Sequence, residues 1–180
     1  MRTNSTILIR EANDRDLRSI SLLISLAFFD EKNLRDEKVV ESLLFEELVK
    51  DGDDVVSLVA EESDSEVVGH VFVSPVSLEP DNGLNCGQIS PLSVHPKFQF
   101  KGIGKSLMRA VIIKSEQKAL DALFLLGDPN YYGLFGFLPS KVKSAYGPSD
   151  YFQELVLNKD CAELMNVYVR LAPAFTRLGL

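Results

Sequence analysis

The stretch Ile89–Met108, ISPLSVHPKFQFKGIGKSLM, runs from alternating apolar residues through a glycine-bearing loop into a helical pattern. Its end, Gly104-Lys105-Ser106, looks like the tail of a nucleotide-binding P-loop. That loop also needs a leading glycine to curl around a phosphate, and Gln99 occupies its place. A dinucleotide fingerprint fails as well, because Leu107 stands where its third glycine belongs. The physics of the loop survives both exclusions. Gly102 and Gly104 remove side chains that would block approach to the backbone. Amides at a helix start lack carbonyl partners, and the helix dipole adds partial positive charge, which suits a pyrophosphate. Ile103, Leu107, Ala110 and Val111 share the face that would anchor the helix, while Lys105 and Arg109 lie opposite. An ordinary glycine-rich strand-to-helix turn has the same local signature.

Upstream, ILIREA (7–12) reads as a short strand and Asn13 as a helix N-cap, with Leu17, Ile20, Ile24, Ala27 and Phe28 on one face. After the polar break DEKNLRDEK (30–38), a second amphipathic helix carries Val40, Leu43, Leu44 and Leu48. VVSLVAEE (55–62) and EVVGHVFVSPVSL (66–78) are two β-rich runs, predicted to form an antiparallel hairpin. A turn over EPDNGLNCG (79–87), which would hold Cys86, feeds the strand QISPLSV (88–94). Downstream, a helix to about Lys118 leads to the strand ALFLLG (122–127). FQELVL (152–157) and NVYVRL (166–171) are terminal strands flanking a short helical turn. With no repeat or linker, the reading is a single α+β domain over residues 1–180.

Composition narrows the function. A formal charge of −7 argues against non-specific binding to nucleic acid, which needs a basic face. No apolar run approaches the roughly 18 residues of a membrane span, and MRTNSTILIREANDRD lacks a signal-peptide core. Two distant cysteines, Cys86 and Cys161, form neither a disulfide framework nor a metal pair, and two separated histidines give no ligand spacing. A cytoplasmic protein without a metal is expected.

The flanks of the loop identify more. Val94 and Pro96, then Gln99, Gly102 and Gly104, resemble the V-x-P step and the [QR]-x-x-G-x-[GA] loop of GNAT-family N-acetyltransferases. YYGLFGF (131–137) is similar to that family's Y-x-x-x-G-F segment, with Tyr132 in the tyrosine position. GDPNYYGLFGFLPS (127–140), PLSVHP (91–96), AEESDSEVVGHVFVSPV (60–76) and VYVRLAPAF (167–175) resemble its YhbS-like branch. The resemblance implies a GNAT fold: a central mixed, mostly antiparallel sheet with splayed strands, flanked by helices. It implies acetyl-CoA as co-substrate and acetyl transfer to a small-molecule or peptide amine in a ternary complex. A CoA-binding sensor without turnover, or transfer of another acyl chain or to a hydroxyl, stays open beside it.

The same resemblance distributes the roles. Backbone groups of Leu92, Ser93 and Val94 would pair with the pantetheine, and a backbone N–H near Val94 could polarise the carbonyl. The loop residues Phe100, Lys101, Gly102, Ile103, Gly104, Lys105 and Ser106 would receive the pyrophosphate, with Gln99 framing the loop or meeting a phosphate. Tyr132 is placed as general acid to the leaving thiolate, with Tyr131 and Phe135 lining or supporting the site. The amine must also be freed of its proton, since a lysine-like group has a pKa of about 10.4. Many family members carry a glutamate on the strand before the loop; this chain offers Gln88 and Ser90, so no base is assigned. Asp30 and Glu31 fall in a region that lines the acceptor site in that family, with a solvated helix end as their other reading. His95 is expected in a turn, and His70 as a hydrogen-bonded or exposed strand histidine. The acidic charge hints at cationic acceptors such as polyamines, aminoglycosides or lysine-bearing peptides, and the terminal strands could support a homodimer.

Overall fold

A computed structural model describes residues 6–29, 39–62, 66–158 and 167–180. Asp30, Glu31, Cys161 and the turn expected between the terminal strands lie outside the described residues. Strands β1 (Leu8–Glu11), β2 (Val56–Glu61), β3 (Val67–Glu79), β4 (Cys86–Val94) and β5 (Ala122–Leu126) are joined by β6 (Leu138–Pro139), β7 (Lys143–Ser144), β8 (Phe152–Val156) and β9 (Tyr168–Leu171). The helices are α1 (Leu17–Ala27), α2 (Val40–Asp51), α3 (Ile103–Gln117), α4 (Pro129–Tyr132) and α5 (Pro173–Arg177). The strands form one sheet ordered β1-β2-β3-β4-β5-β8-β6, with β9 beside β3 and β7 beside β9. Pairing is antiparallel except at β4–β5 and β7–β9, so the expected mixed, mostly antiparallel sheet is present.

Local chemistry explains the element boundaries. Asn13 caps a short 3-10 turn that runs into α1: its side chain accepts Arg15 N at 3.1 Å, and Asp16 accepts Asn13 N at 2.8 Å. α2 stops at Gly52, whose φ of +76° suits a left-handed C-cap. The hairpin of β2 and β3 pairs Val56 with Val73 through Ala60 with Gly69.

The sheet is covered on both faces. α3 lays Ile103, Leu107, Met108 and Val111 onto Val68, Val71, Val73, Leu123 and Leu125. On the opposite face α1, α2 and α5 bury Ile20, Ile24, Phe45, Leu48 and Phe175 against Val59 and Phe72. One expectation changes here. Cys86 opens β4 and is buried, because it pairs with both Val76 and Ala122 instead of sitting in the preceding turn. The terminal strands lie within the sheet: β8 pairs with β5 and, at Gln153 and Glu154, with β6, while β9 pairs with β3 and, at Tyr168 and Val169, with β7. Among the described residues no helix is long and apolar enough to cross a membrane.

Candidate active site

The site grows from a parting of strands. β4 and β5 run in parallel over Cys86↔Ala122, Gly87↔Leu123 and Gln88↔Phe124. Beyond Gln88, β5 stays with β8 to Leu126, whereas β4 stays with β3 to Val94. A register shift assists the parting: Val73 faces Ile89 and Val71 faces Leu92, so Ser90 and Pro91 together oppose Phe72. Such a bulge bends and twists its strand.

The ladder fixes which main-chain groups look into the split. His95 N donates to Val68 O at 2.9 Å, which makes His95–Val68 a hydrogen-bonded pair. In an antiparallel ladder these pairs alternate. Ser93 therefore turns its N–H and C=O toward His70, while Leu92 and Val94 turn theirs away from β3 and into the split. Val94 O is found there, accepting Gln99 Nε2 at 3.1 Å. By the two-residue period of the ladder, Leu92 and Val94 present main-chain groups to the split, whereas Ser93 presents its own to β3.

The loop that follows is shaped by local bonds. His95 Nδ1 accepts Lys97 N at 3.2 Å, the turn role expected of it. Lys101 Nζ stands 4.8 Å from the Phe98 ring centre. Phe100 has φ +61° and projects fully into solvent. Gly102, the N-cap of α3 at φ +88°, brings no capping side chain, and the first helical turn holds no acid. Lys101 and Lys105 are exposed at the rim. A Cβ on Gly104 would lie 2.9 Å from Tyr131 Oη, so the absent side chain lets that hydroxyl approach the helix start. Uncapped amides, dipole and cations together fit a bound anion.

A cavity of about 540 Å³ lies in the mouth of the split. Leu92, Val94, Gln99, Phe100, Gly102, Ile103, Gly104 and Lys105 line it, and its tyrosine is Tyr131. Ser93, Lys101 and Ser106 are outside that lining. Tyr132 instead borders a second chamber of about 340 Å³, on the other side of β4, with Gln88, Ser90, Pro91 and Leu126. Leu92 borders both. The two tyrosine rings meet edge-on with centres 5.0 Å apart.

Burial sets the protonation states. It pushes the Tyr132 phenol up to about 12 and raises that of Tyr131. His70 is fully buried, 3.0 Å from Ser57 Oγ through Nε2, and desolvation lowers it to about 3. Gln88 is 1% exposed, and its Oε1 lacks a hydrogen-bond partner. Gly127 was not singled out in the sequence: a Cβ there would fall 2.2 Å from Tyr132 Cε2, so this glycine makes room for the ring. Its position directly after a compact apolar strand was the available signal.

Comparison with known proteins agrees with this geometry. The acetyltransferase (GNAT) family matches residues 17–137, well over half of the chain. This chain belongs to the GNAT acetyltransferase family. The uncharacterized N-acetyltransferase YhbS of Escherichia coli K12 is 31% identical over 101 residues, covering 56% of this GNAT chain and 60% of that relative. The chain thus spans about three-fifths of the length of the curated relative it matches. A crystal structure of E. coli YhbS in complex with CoA superposes with a TM-score of 0.87 at 26% identity, covering 100% of this chain and 97% of that one. A Brucella melitensis GNAT acetyltransferase in complex with acetyl-CoA gives 0.75 at 29% identity, over 94% of this chain and 98% of that one. The expected fold and family are borne out.

Proposed function

We propose that this GNAT chain, as a single domain over residues 1–180, transfers the acetyl group of acetyl-CoA directly to a primary amine while both are bound. The observation that carries this reading is the β4–β5 split opening onto the uncapped N-terminus of α3. When bound, acetyl-CoA supplies an activated thioester. Leu92 pairs its free main-chain groups with the pantetheine, as an added strand would be met at a sheet edge. The amides from Gly102 to Lys105 hold the pyrophosphate, while Ser106 N donates to Gly102 O at 3.0 Å and so is not the free donor expected. Gln99 braces the loop through its bond to Val94 O. The Val94 N–H, facing the split, stabilises charge on the carbonyl oxygen. Phe100, Lys101 and Lys105 form the outer rim.

Tyr132 acts on the leaving sulfur. With its pKa pushed up to about 12, well above the 8–9 of a thiol, the phenol keeps its proton. It serves as a hydrogen-bond donor that stabilises the developing thiolate. Neither Gln88 nor Ser90 is a proton acceptor at neutral pH, which favours a second reading, a CoA-responsive module without turnover. Two measurements decide. Calorimetric titration with acetyl-CoA and desulfo-CoA tests the shared first step, and binding of neither defeats both readings. Thiol release with a panel of amines then separates transferase from sensor.

A further inference from the structure

One residue of the loop before α3 is placed at a cost to the fold. Phe100 is 104% exposed, so its ring is uncovered. It is nevertheless held at φ +61°, a left-handed backbone that is strained for a residue with a side chain and free for glycine. Neither its burial nor its backbone serves stability. The ring two residues before it is differently placed. Phe98 is half-buried, meets His95 edge-on with centres 5.7 Å apart, and has Lys101 Nζ 4.8 Å from its own centre. Phe100 instead presents an open ring at the mouth of the groove that it lines with Gly102, Gly104 and Lys105. Strained backbone of this kind gathers at ligand-binding sites.

Resting on the reading of this loop as the pyrophosphate cradle of CoA, we propose that Phe100 is the platform on which the adenine ring of CoA stacks. In CoA the pyrophosphate carries the pantetheine on one side and the adenosine on the other. The pantetheine runs inward along β4 at Leu92, so the adenosine leaves the cradle outward, over the rim. Gly102, the first residue whose amide holds the pyrophosphate in that reading, lies two positions after Phe100. The ring therefore stands beside the path of the adenosine. Chemistry selects the base over the other parts of the cofactor. A phenyl ring donates no hydrogen bond and its face is negative, so it does not attract a phosphate. The same flat apolar face suits a purine, and base–aromatic stacking tolerates solvent at a rim. Such a stack reads nothing of the acyl group, so it strengthens the hold on CoA and acetyl-CoA alike.

The test compares CoA with 4′-phosphopantetheine, which lacks the adenosine, by calorimetric titration into wild type, Phe100→Gly and Phe100→Trp. Phe100→Gly is expected to weaken CoA by about 5- to 150-fold, the worth of one base–aromatic stack. Its affinity for 4′-phosphopantetheine should stay at the wild-type level. Its urea midpoint should not fall, because glycine takes φ +61° without strain, so lost affinity is not lost fold. The chain has no tryptophan, so Phe100→Trp installs a single indole reporter. That variant should bind CoA at least as tightly as wild type. Its indole emission should be quenched by CoA and not by 4′-phosphopantetheine. Three results overturn the proposal: equal weakening of both ligands in Phe100→Gly, unchanged CoA affinity in that variant, or an indole that CoA does not quench. Failure of the cofactor reading is a different result: wild type would bind neither CoA nor 4′-phosphopantetheine, and the stack would fall with it.

Discussion

Tyr132 and His70 are both held neutral by desolvation, one through a rise to about 12 and the other through a fall to about 3. For Tyr132 the consequence is catalytic. Tyr132→Phe should lower kcat by about 10²- to 10³-fold, the usual cost of losing one positioned hydrogen-bond donor to developing charge, with acetyl-CoA affinity nearly unchanged. The wild-type pH profile should rise as the acceptor amine loses its proton, with no falling limb from Tyr132 below about pH 11. For His70 the consequence is stability. Its folded pKa lies below the unfolded value of 6.5, so on acidification the unfolded chain takes up the proton first. The stabilisation is complete above about 6.5 and is lost progressively as pH falls toward 3. Between pH 6.5 and 5 the loss should be about 2 kcal/mol, at about 1.36 kcal/mol per pH unit. Urea unfolding at pH 7 and pH 5 reads it directly. In His70→Asn the pH-dependent difference should shrink by that amount, and an undiminished difference would remove His70 as its source.

Among the elements, the strand-loop-helix unit from β4 to α3 was the most legible, because its demands are local. Gly102 must take a positive φ, Gly104 must leave the helix start open, and Gln99 must reach back only to Val94. Each need is written within a few residues of the position that meets it. Elements specified by distant contacts were not legible. β6 and β7, two residues each, are too short to show a period. Cys86 was misplaced because turn-forming neighbours precede it, while its burial comes from β3 and β5. Gly127 reads in the sequence only as the last residue of the strand ALFLLG, yet it accommodates the ring of Tyr132. The second chamber draws on α2, β4, β5 and α5, so no single stretch announces it. Two glycine substitutions separate these layers. Gly102→Ala finds open space around its Cβ but adopts a left-handed backbone. It should cost about 1–2 kcal/mol in unfolding free energy and weaken CoA binding. Gly127→Ala should displace the Tyr132 ring and depress kcat toward the level of Tyr132→Phe, with CoA affinity held. Wild-type kcat in Gly127→Ala would show that the ring position is not critical.

Across the whole molecule, β3 is the common beam. Over its thirteen residues it pairs with β2 and then β9 on one side and with β4 on the other, and its two faces meet separate apolar clusters. The sheet is therefore continuous behind the split, while the parting of β4 from β5 leaves main-chain groups without sheet partners at its mouth. A ligand that completes this edge and also caps α3 binds two elements that only the folded chain holds together, so it should stabilise folding by mass action. At a CoA concentration about one hundred times its Kd the gain is about 2.7 kcal/mol, or roughly 5–10 °C in Tm for a chain of this size. Desulfo-CoA, which keeps the pantetheine and pyrophosphate, should give most of that shift, and Tyr132→Phe should retain it in full. Gly102→Ala should show a smaller shift at the same ligand concentration, because the helix start is altered while β4 is not. High salt should reduce the shift, since part of the attraction lies in the exposed Lys101 and Lys105 at the rim. A thermal melt that does not move under saturating CoA would mean that the split and the helix start are not one binding surface.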